Sequence, residues 1–219
     1  MKKLRIFIDT ANTTEVKDAV STGLIDGVAT NPGKIAESGK SYREVVEEIR
    51  QFFDGPIAVQ AVGRTTDEIC ECARRLHQID SYLAVKITAN KAGLAAVKIL
   101  VPEGIRTNAT LIFNPAQALL AGLAGSPFIS PFISRARMTG HDGVEVIRKI
   151  RKLFDAFGLT DTNMIAASIK DVSQVIDSII AGADSIAVPF SVFEAMCEHP
   201  LTSAGLDAFI KDYINIPQD

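Results

Sequence analysis

Tryptophan is absent from this chain, and aromatic residues make up only 6% of it. That scarcity argues against a surface built to stack nucleic-acid bases. Basic residues are not in excess either. The formal net charge is -3, so no electrostatic case exists for a nucleic-acid partner. The three cysteines, Cys70, Cys72 and Cys197, are too few and odd in number for a disulfide framework, and fit a reducing cytoplasm. Cys70 and Cys72 lie two apart on an expected helix, point different ways, and read as small core residues. The three histidines, His77, His141 and His199, are widely separated and give no zinc spacing, so no metal or other cofactor is expected. No apolar run approaches the roughly 20 residues that cross a bilayer. The opening "MKKLRIFIDT" has too short an apolar stretch for a signal peptide, and Arg5 and Asp9 break it. A cytoplasmic globular protein with small-molecule partners and no membrane contact is the expectation.

What is present is a regular alternation. Short β-branched runs, "RIFID" (5–9), "GVATN" (27–31), "IAVQAV" (57–62), "LAVKIT" (83–88), "RTNATLI" (106–112), "FISPFI" (128–133), "MIAAS" (164–168) and "SIAVPF" (185–190), are separated by helical patterns. Val45, Val46, Ile49, Phe52 and Phe53 share one helical face; Val144, Ile147, Ile150 and Phe154 share another, as do Val172, Val175, Ile176 and Ile179. Thr65 and Glu68 form a capping-box pattern. Strands alternating with helices predict a parallel sheet. Eight such units in 219 residues, with no linker, predict an α/β fold: one (β/α)8 barrel domain over 1–219. An extra C-terminal helix over 203–215 presents Leu206, Phe209, Ile210, Tyr213 and Ile214 on one face, to a neighbouring subunit or to its own barrel. An open doubly wound sheet is the competing fold, but the first turn, "DTANTTEV", lacks the glycines expected there.

In such a barrel, chemistry gathers at the C-terminal strand ends. Those ends read Asp9, Asn31, Gln60, Lys86, Thr110, Phe132 with Arg135, and Ser168. Each has a plain structural reading: Asp9 as a helix cap, Asn31 before Pro32 as turn chemistry, Thr110 as a strand former, Arg135 as a surface cation. Lys86 is harder to set aside. A parallel strand covered on both faces leaves its lysine no solvent side. A buried amine that loses its proton is a nucleophile for a ketone or aldehyde, and the resulting imine is an electron sink for making or breaking a C–C bond. Asp9 is the acid/base candidate for the proton transfers. Arg135, Ser168 and Lys170 lie where late-strand loops hold a phosphate, so a phosphorylated sugar is the expected substrate.

The stretches "IFIDTAN", "GVATNP", "VKITANKAGLAAVKIL", "GIRTNATLIFNPAQALLAGLAG", "ISPFISR", "AASIK" and "GADSIAVPF" resemble the transaldolase family, and most closely its small members, the fructose-6-phosphate aldolases and short transaldolases. The resemblance runs over nearly the whole chain. It implies a Schiff base on Lys86, carrying a dihydroxyacetone unit from a ketose phosphate to an aldehyde acceptor or to water. It implies Asp9 as the proton-handling carboxylate, Asn31 on the substrate hydroxyls, Thr110 and Gln60 placing the catalytic water, and Arg135 and Ser168 at the phosphate. It also implies carbohydrate metabolism of the pentose phosphate type. Small members form pentamers or decamers, so a homo-oligomer is expected.

The chain departs from that pattern. Gln60 is the aldolase-type residue where transaldolases usually carry glutamate, whereas Phe132 is the transaldolase-type residue where aldolases carry tyrosine. Gly33 stands where serine or threonine is common, Lys34 follows it, and Arg137 replaces a common aspartate. Lys34, Arg135 and Arg137 together suit a more strongly anionic head group, another sugar phosphate or a sulfonate. Lys34 and Arg137 on a solvated rim is the plainer alternative. A cofactor-free isomerase would need a second acid or base beside Asp9, and a phosphosugar-binding module gives no reason to bury Lys86.

Overall fold

The β-branched runs become eight parallel strands: β1 (Arg5–Asp9), β2 (Gly27–Ala29), β3 (Ile57–Gln60), β4 (Ala84–Thr88), β5 (Thr107–Ile112), β6 (Phe128–Pro131), β7 (Asn163–Ala166) and β8 (Ser185–Val188). In the computed structural model they close in chain order, β8 returning to pair with β1. The structure describes residues 4–138, 140 and 142–217, without the side chain of Arg137. Most strands stop a residue or two short of the sequence expectation; their last residues turn toward the following helix.

Helices surround the barrel: α1 (Thr13–Ser21), α2 (Pro32–Ser38), α3 (Tyr42–Arg50), α4 (Thr66–His77), α5 (Lys91–Leu100), α6 (Pro115–Leu123), α7 (Ile133–Arg137), α8 (Gly143–Ala156), α9 (Val172–Ile180), α10 (Phe190–Cys197) and α11 (Pro200–Tyr213). Asparagine or aspartate opens six of them, and Asn12, not Asp9, caps α1. The Thr65–Glu68 capping box opens α4. The main core fills the layer between barrel and helices, with Ile8, Val59, Val85, Ile87, Ala109, Ile129 and Phe154 fully buried. Cys70 belongs to that core and Cys72 is half-buried against it. Inside the barrel a smaller cluster, Phe7, Ala29, Ile165, Ala167 and Ala187, forms a floor. Gly27 is required there, because a Cβ would fall 2.3 Å from the Phe7 ring.

α11 packs differently from the others. None of its residues is buried, and Leu206, Phe209, Ile210, Tyr213 and Ile214 are all exposed. It does not close its own barrel. No described helix is long and apolar enough to cross a membrane.

Candidate active site

Strand alternation decides which residues face inward. Register then sets them side by side: Asp9 pairs with Ala29, Gln60 with Lys86, Lys86 with Asn108, and Thr110 with Ser130. Above the apolar floor, these side chains line a cavity of about 630 Å³ at the C-terminal ends of the strands. Asp9, Asn31, Lys34, Gln60, Lys86, Thr110, Phe132, Arg135, Ser168 and Lys170 all line it. Of the residues singled out in the sequence, the Arg137 side chain lies outside those described. The small side chains Ala29, Ala58, Ala167 and Ala187 keep the space open.

Lys86 is buried, and its Nζ donates to the Thr30 carbonyl at 2.9 Å. Burial pushes the ammonium below its ordinary value; the Asp9 carboxylate opposes this and the Lys34 ammonium reinforces it. Gln60 cannot carry a proton, but it is well held. Its Nε2 donates to the carbonyls of Ala61 and Lys86, leaving Oε1 as the atom free to accept. Thr110 is 1% exposed, and its Oγ1 has no protein hydrogen-bond partner. Asn31 fulfils its structural reading as well as lining the cavity, since its Oδ1 accepts from the Lys34 N–H and caps α2.

The rim is built by two short helices that the sequence pattern does not reveal. α2 brings Lys34 to 4.0 Å from Asp9. α7 carries Arg135, whose guanidinium lies 5.4 Å from the centre of the Phe132 ring. Phe132 is fixed edge-on against Phe113. Ser168 is one of two described non-glycine residues with left-handed backbone, φ 58°; the other is Leu111, φ 57°. Both line this cavity. At Leu111 the β5–β6 register shifts, so Thr110 and Leu111 both face inward while Ile112 returns to the outer core. Backbone in that region is costly for leucine, and such strain concentrates at functional sites.

Sequence reasoning passes over Asn108 and Ser130. Both are buried cavity residues, and the Ser130 hydroxyl donates to Asn108 Oδ1 at 2.8 Å. Asn108 flanks Lys86 in register. The signal that singles out Lys86, a polar side chain in a fully covered strand, picks out Asn108 too.

A buried amine beside a carboxylate, in a pocket of neutral hydrogen-bonding groups with cations at its rim, suits carbonyl chemistry on an anionic substrate. A solved thiamine phosphate pyrophosphorylase from Pyrococcus furiosus superposes with a TM-score of 0.57, covering 86% of each chain at 17% identity, which speaks to the barrel alone. A "Probable transaldolase" of Clostridium perfringens is 44% identical, covering 96% of this chain and 97% of the relative. "Probable transaldolase 1" of Listeria monocytogenes is 45% identical over 96% and 98%. One from Hydrogenobaculum is 43% identical over 98% of both chains. The family model described as "Transaldolase/Fructose-6-phosphate aldolase" matches residues 6–216. With that span and those relatives behind the barrel and its buried lysine, the chain belongs to the transaldolase/fructose-6-phosphate aldolase family of enzymes.

Proposed function

We propose that the enzyme is an imine-forming transaldolase or aldolase acting on a ketose phosphate through Lys86. The observation that carries the reading is a buried amine whose protonation is disfavoured, facing the same cavity as Asp9. The neutral Lys86 amine adds to the ketose C2 carbonyl and, with uptake of one proton from solvent, water leaves, giving an iminium. Asp9 accepts the C4 hydroxyl proton as the C3–C4 bond breaks, and that electron pair passes into the iminium to give an enamine. The aldehyde departs. The enamine either adds to an acceptor aldehyde, after which water hydrolyses the new iminium and frees the ketose, which is transfer, or is protonated and hydrolysed to dihydroxyacetone, which is cleavage. Asn31 and Asn108 are suited to the substrate hydroxyls, Gln60 Oε1 and the Thr110 hydroxyl to a water, and Arg135 and Ser168 to the phosphate.

Gln60 and Phe132 point to opposite activities, so the reading covers both. A second reading keeps the imine but takes a more strongly anionic ketose, another sugar phosphate or a sulfosugar. It is favoured by three cations, Lys34, Arg135 and Lys170, around one cavity. The exposed apolar face of α11 supports a homo-oligomer, a pentamer or decamer; a monomer mass by light scattering removes that part.

Borohydride trapping with fructose 6-phosphate, read by intact mass and peptide mapping, tests the reaction. A reduced three-carbon adduct on Lys86 is expected. Adding erythrose 4-phosphate before the reductant diminishes the adduct if transfer operates. No adduct from any ketose phosphate, or from free dihydroxyacetone, would overturn the imine mechanism.

A further inference from the structure

Two lysines share this cavity with one carboxylate, and a single stretch of chain reaches both reacting groups. The Thr30 carbonyl holds the Lys86 Nζ. Four residues on, Lys34 stands in the first turn of α2 and turns its Nζ to 4.0 Å from Asp9 Oδ2. The first turn of a helix favours anions, so a cation there runs against the local preference. Such a local conflict is expected at functional sites.

We propose that Lys34 is a positioning residue for the imine chemistry: it holds the Asp9 carboxylate by charge pairing at 4.0 Å and sets a second amine in the cavity that contains Lys86. The proposal rests on the imine reading and deepens it. Among the described residues, the charged groups facing the cavity beside Lys86 are Asp9 on β1, Lys34 and Glu37 on α2, Arg135 on α7 and Lys170 after β7. Glu37 and Lys170 are exposed, and Arg135 lies against Phe132. Beyond burial, the charges that act on Lys86 among the described residues are Asp9, which favours its protonated form, and Lys34, which opposes it. Removing Lys34 leaves the favourable carboxylate and deletes the opposing ammonium. The Lys86 amine then gains its proton more readily, and the fraction able to attack a carbonyl falls near neutral pH.

The test is the rate of cyanoborohydride trapping of free dihydroxyacetone on Lys86 between about pH 6 and pH 10, for the wild type, Lys34→Met and Lys34→Arg. Dihydroxyacetone carries no anionic group, so any loss of substrate phosphate binding does not enter. In Lys34→Met the acid limb of the profile should move up by about half a unit. Trapping then falls about threefold below the limb and returns to the wild-type rate at alkaline pH. Lys34→Arg should restore the wild-type limb. A Lys34→Met profile that overlays the wild type, or falls by one factor at every pH, overturns the proposal while leaving the imine intact. Failure of the wild type itself to trap at any pH instead removes the underlying mechanism.

Discussion

Thr110→Val separates the needs of the fold from the needs of the reaction. Thr110 is 1% exposed, and its hydroxyl has no protein partner. Valine has nearly the same shape and the same β-branched preference for a strand. The usual cost of deleting a buried hydrogen bond, about 1–3 kcal/mol, comes from a partner left unsatisfied. Here no protein group is orphaned, and a methyl is easier to bury than a hydroxyl by roughly 1 kcal/mol. Thr110→Val should therefore match or exceed the wild type in stability, with Tm unchanged or raised by about 2–4 °C. Thr107→Val on the same strand is the control. The Thr107 hydroxyl lies 3.0 Å from Ser126 Oγ, both buried; Ser126 keeps its bonds to the Ala109 N–H and the Phe128 carbonyl, so that variant should lose the net worth of one hydrogen bond, about 1 kcal/mol. Activity should rank the other way, with kcat for fructose 6-phosphate cleavage or transfer falling about 100-fold in Thr110→Val. Thermal unfolding by circular dichroism and a coupled assay for the released or transferred product measure both. A Thr110→Val protein destabilised by more than about 1.5 kcal/mol would show that the hydroxyl serves the fold. A stable variant with full activity would remove Thr110 from the chemistry.

Lys86→Met should abolish adduct formation and raise the unfolding midpoint at neutral pH, because a buried amine is replaced by an apolar chain. The sign in pH follows from the lowered folded value against 10.5 in the unfolded chain. Between the two, the unfolded chain binds more protons, so wild-type stability rises with pH. The gain from Lys86→Met is full below the folded value, shrinks across that window and is gone above about 10.5; a gain constant with pH, followed by calorimetry, would contradict it. Gly93→Ala should cost more than about 3 kcal/mol, or prevent folding. A Cβ at Gly93 would lie 1.9 Å from the Thr88 carbonyl, so α5 would be driven off the strand that carries Lys86; wild-type denaturant midpoints would refute this.

The barrel is legible because its signal is repeated: eight apolar runs, separated by helical patterns, leave few topologies. The site is legible where a polar group interrupts such a run, as at Lys86 and Gln60. α2 and α7 are not, because seven and five residues carry too little periodicity to stand out from a turn. Asn31–Pro32 reads as turn chemistry and is in fact a helix cap, which is how Lys34 comes back over Asp9. The inward turn of Leu111 is equally hidden, since leucine has no preference for left-handed backbone and only the register shift with β6 imposes it. The pairing of Ser130 with Asn108 depends on inter-strand register, which no single strand encodes.

Closure of the ring through β1 and β8 has a consequence for how the enzyme comes into being. Asp9 is synthesised long before Ser185–Val188, and its strand finds its second neighbour only when those residues emerge. A nascent chain thus holds the lysine, the carboxylate and most of the pocket wall long before the wall is continuous. Until then β1 and β7 present open edges, the kind of surface that recruits other chains. Contacts of such long sequence separation are slow to form. The chain's vulnerable interval is therefore the synthesis that precedes β8, and a nonsense mutation just before β8 should yield aggregate, not a weakened enzyme.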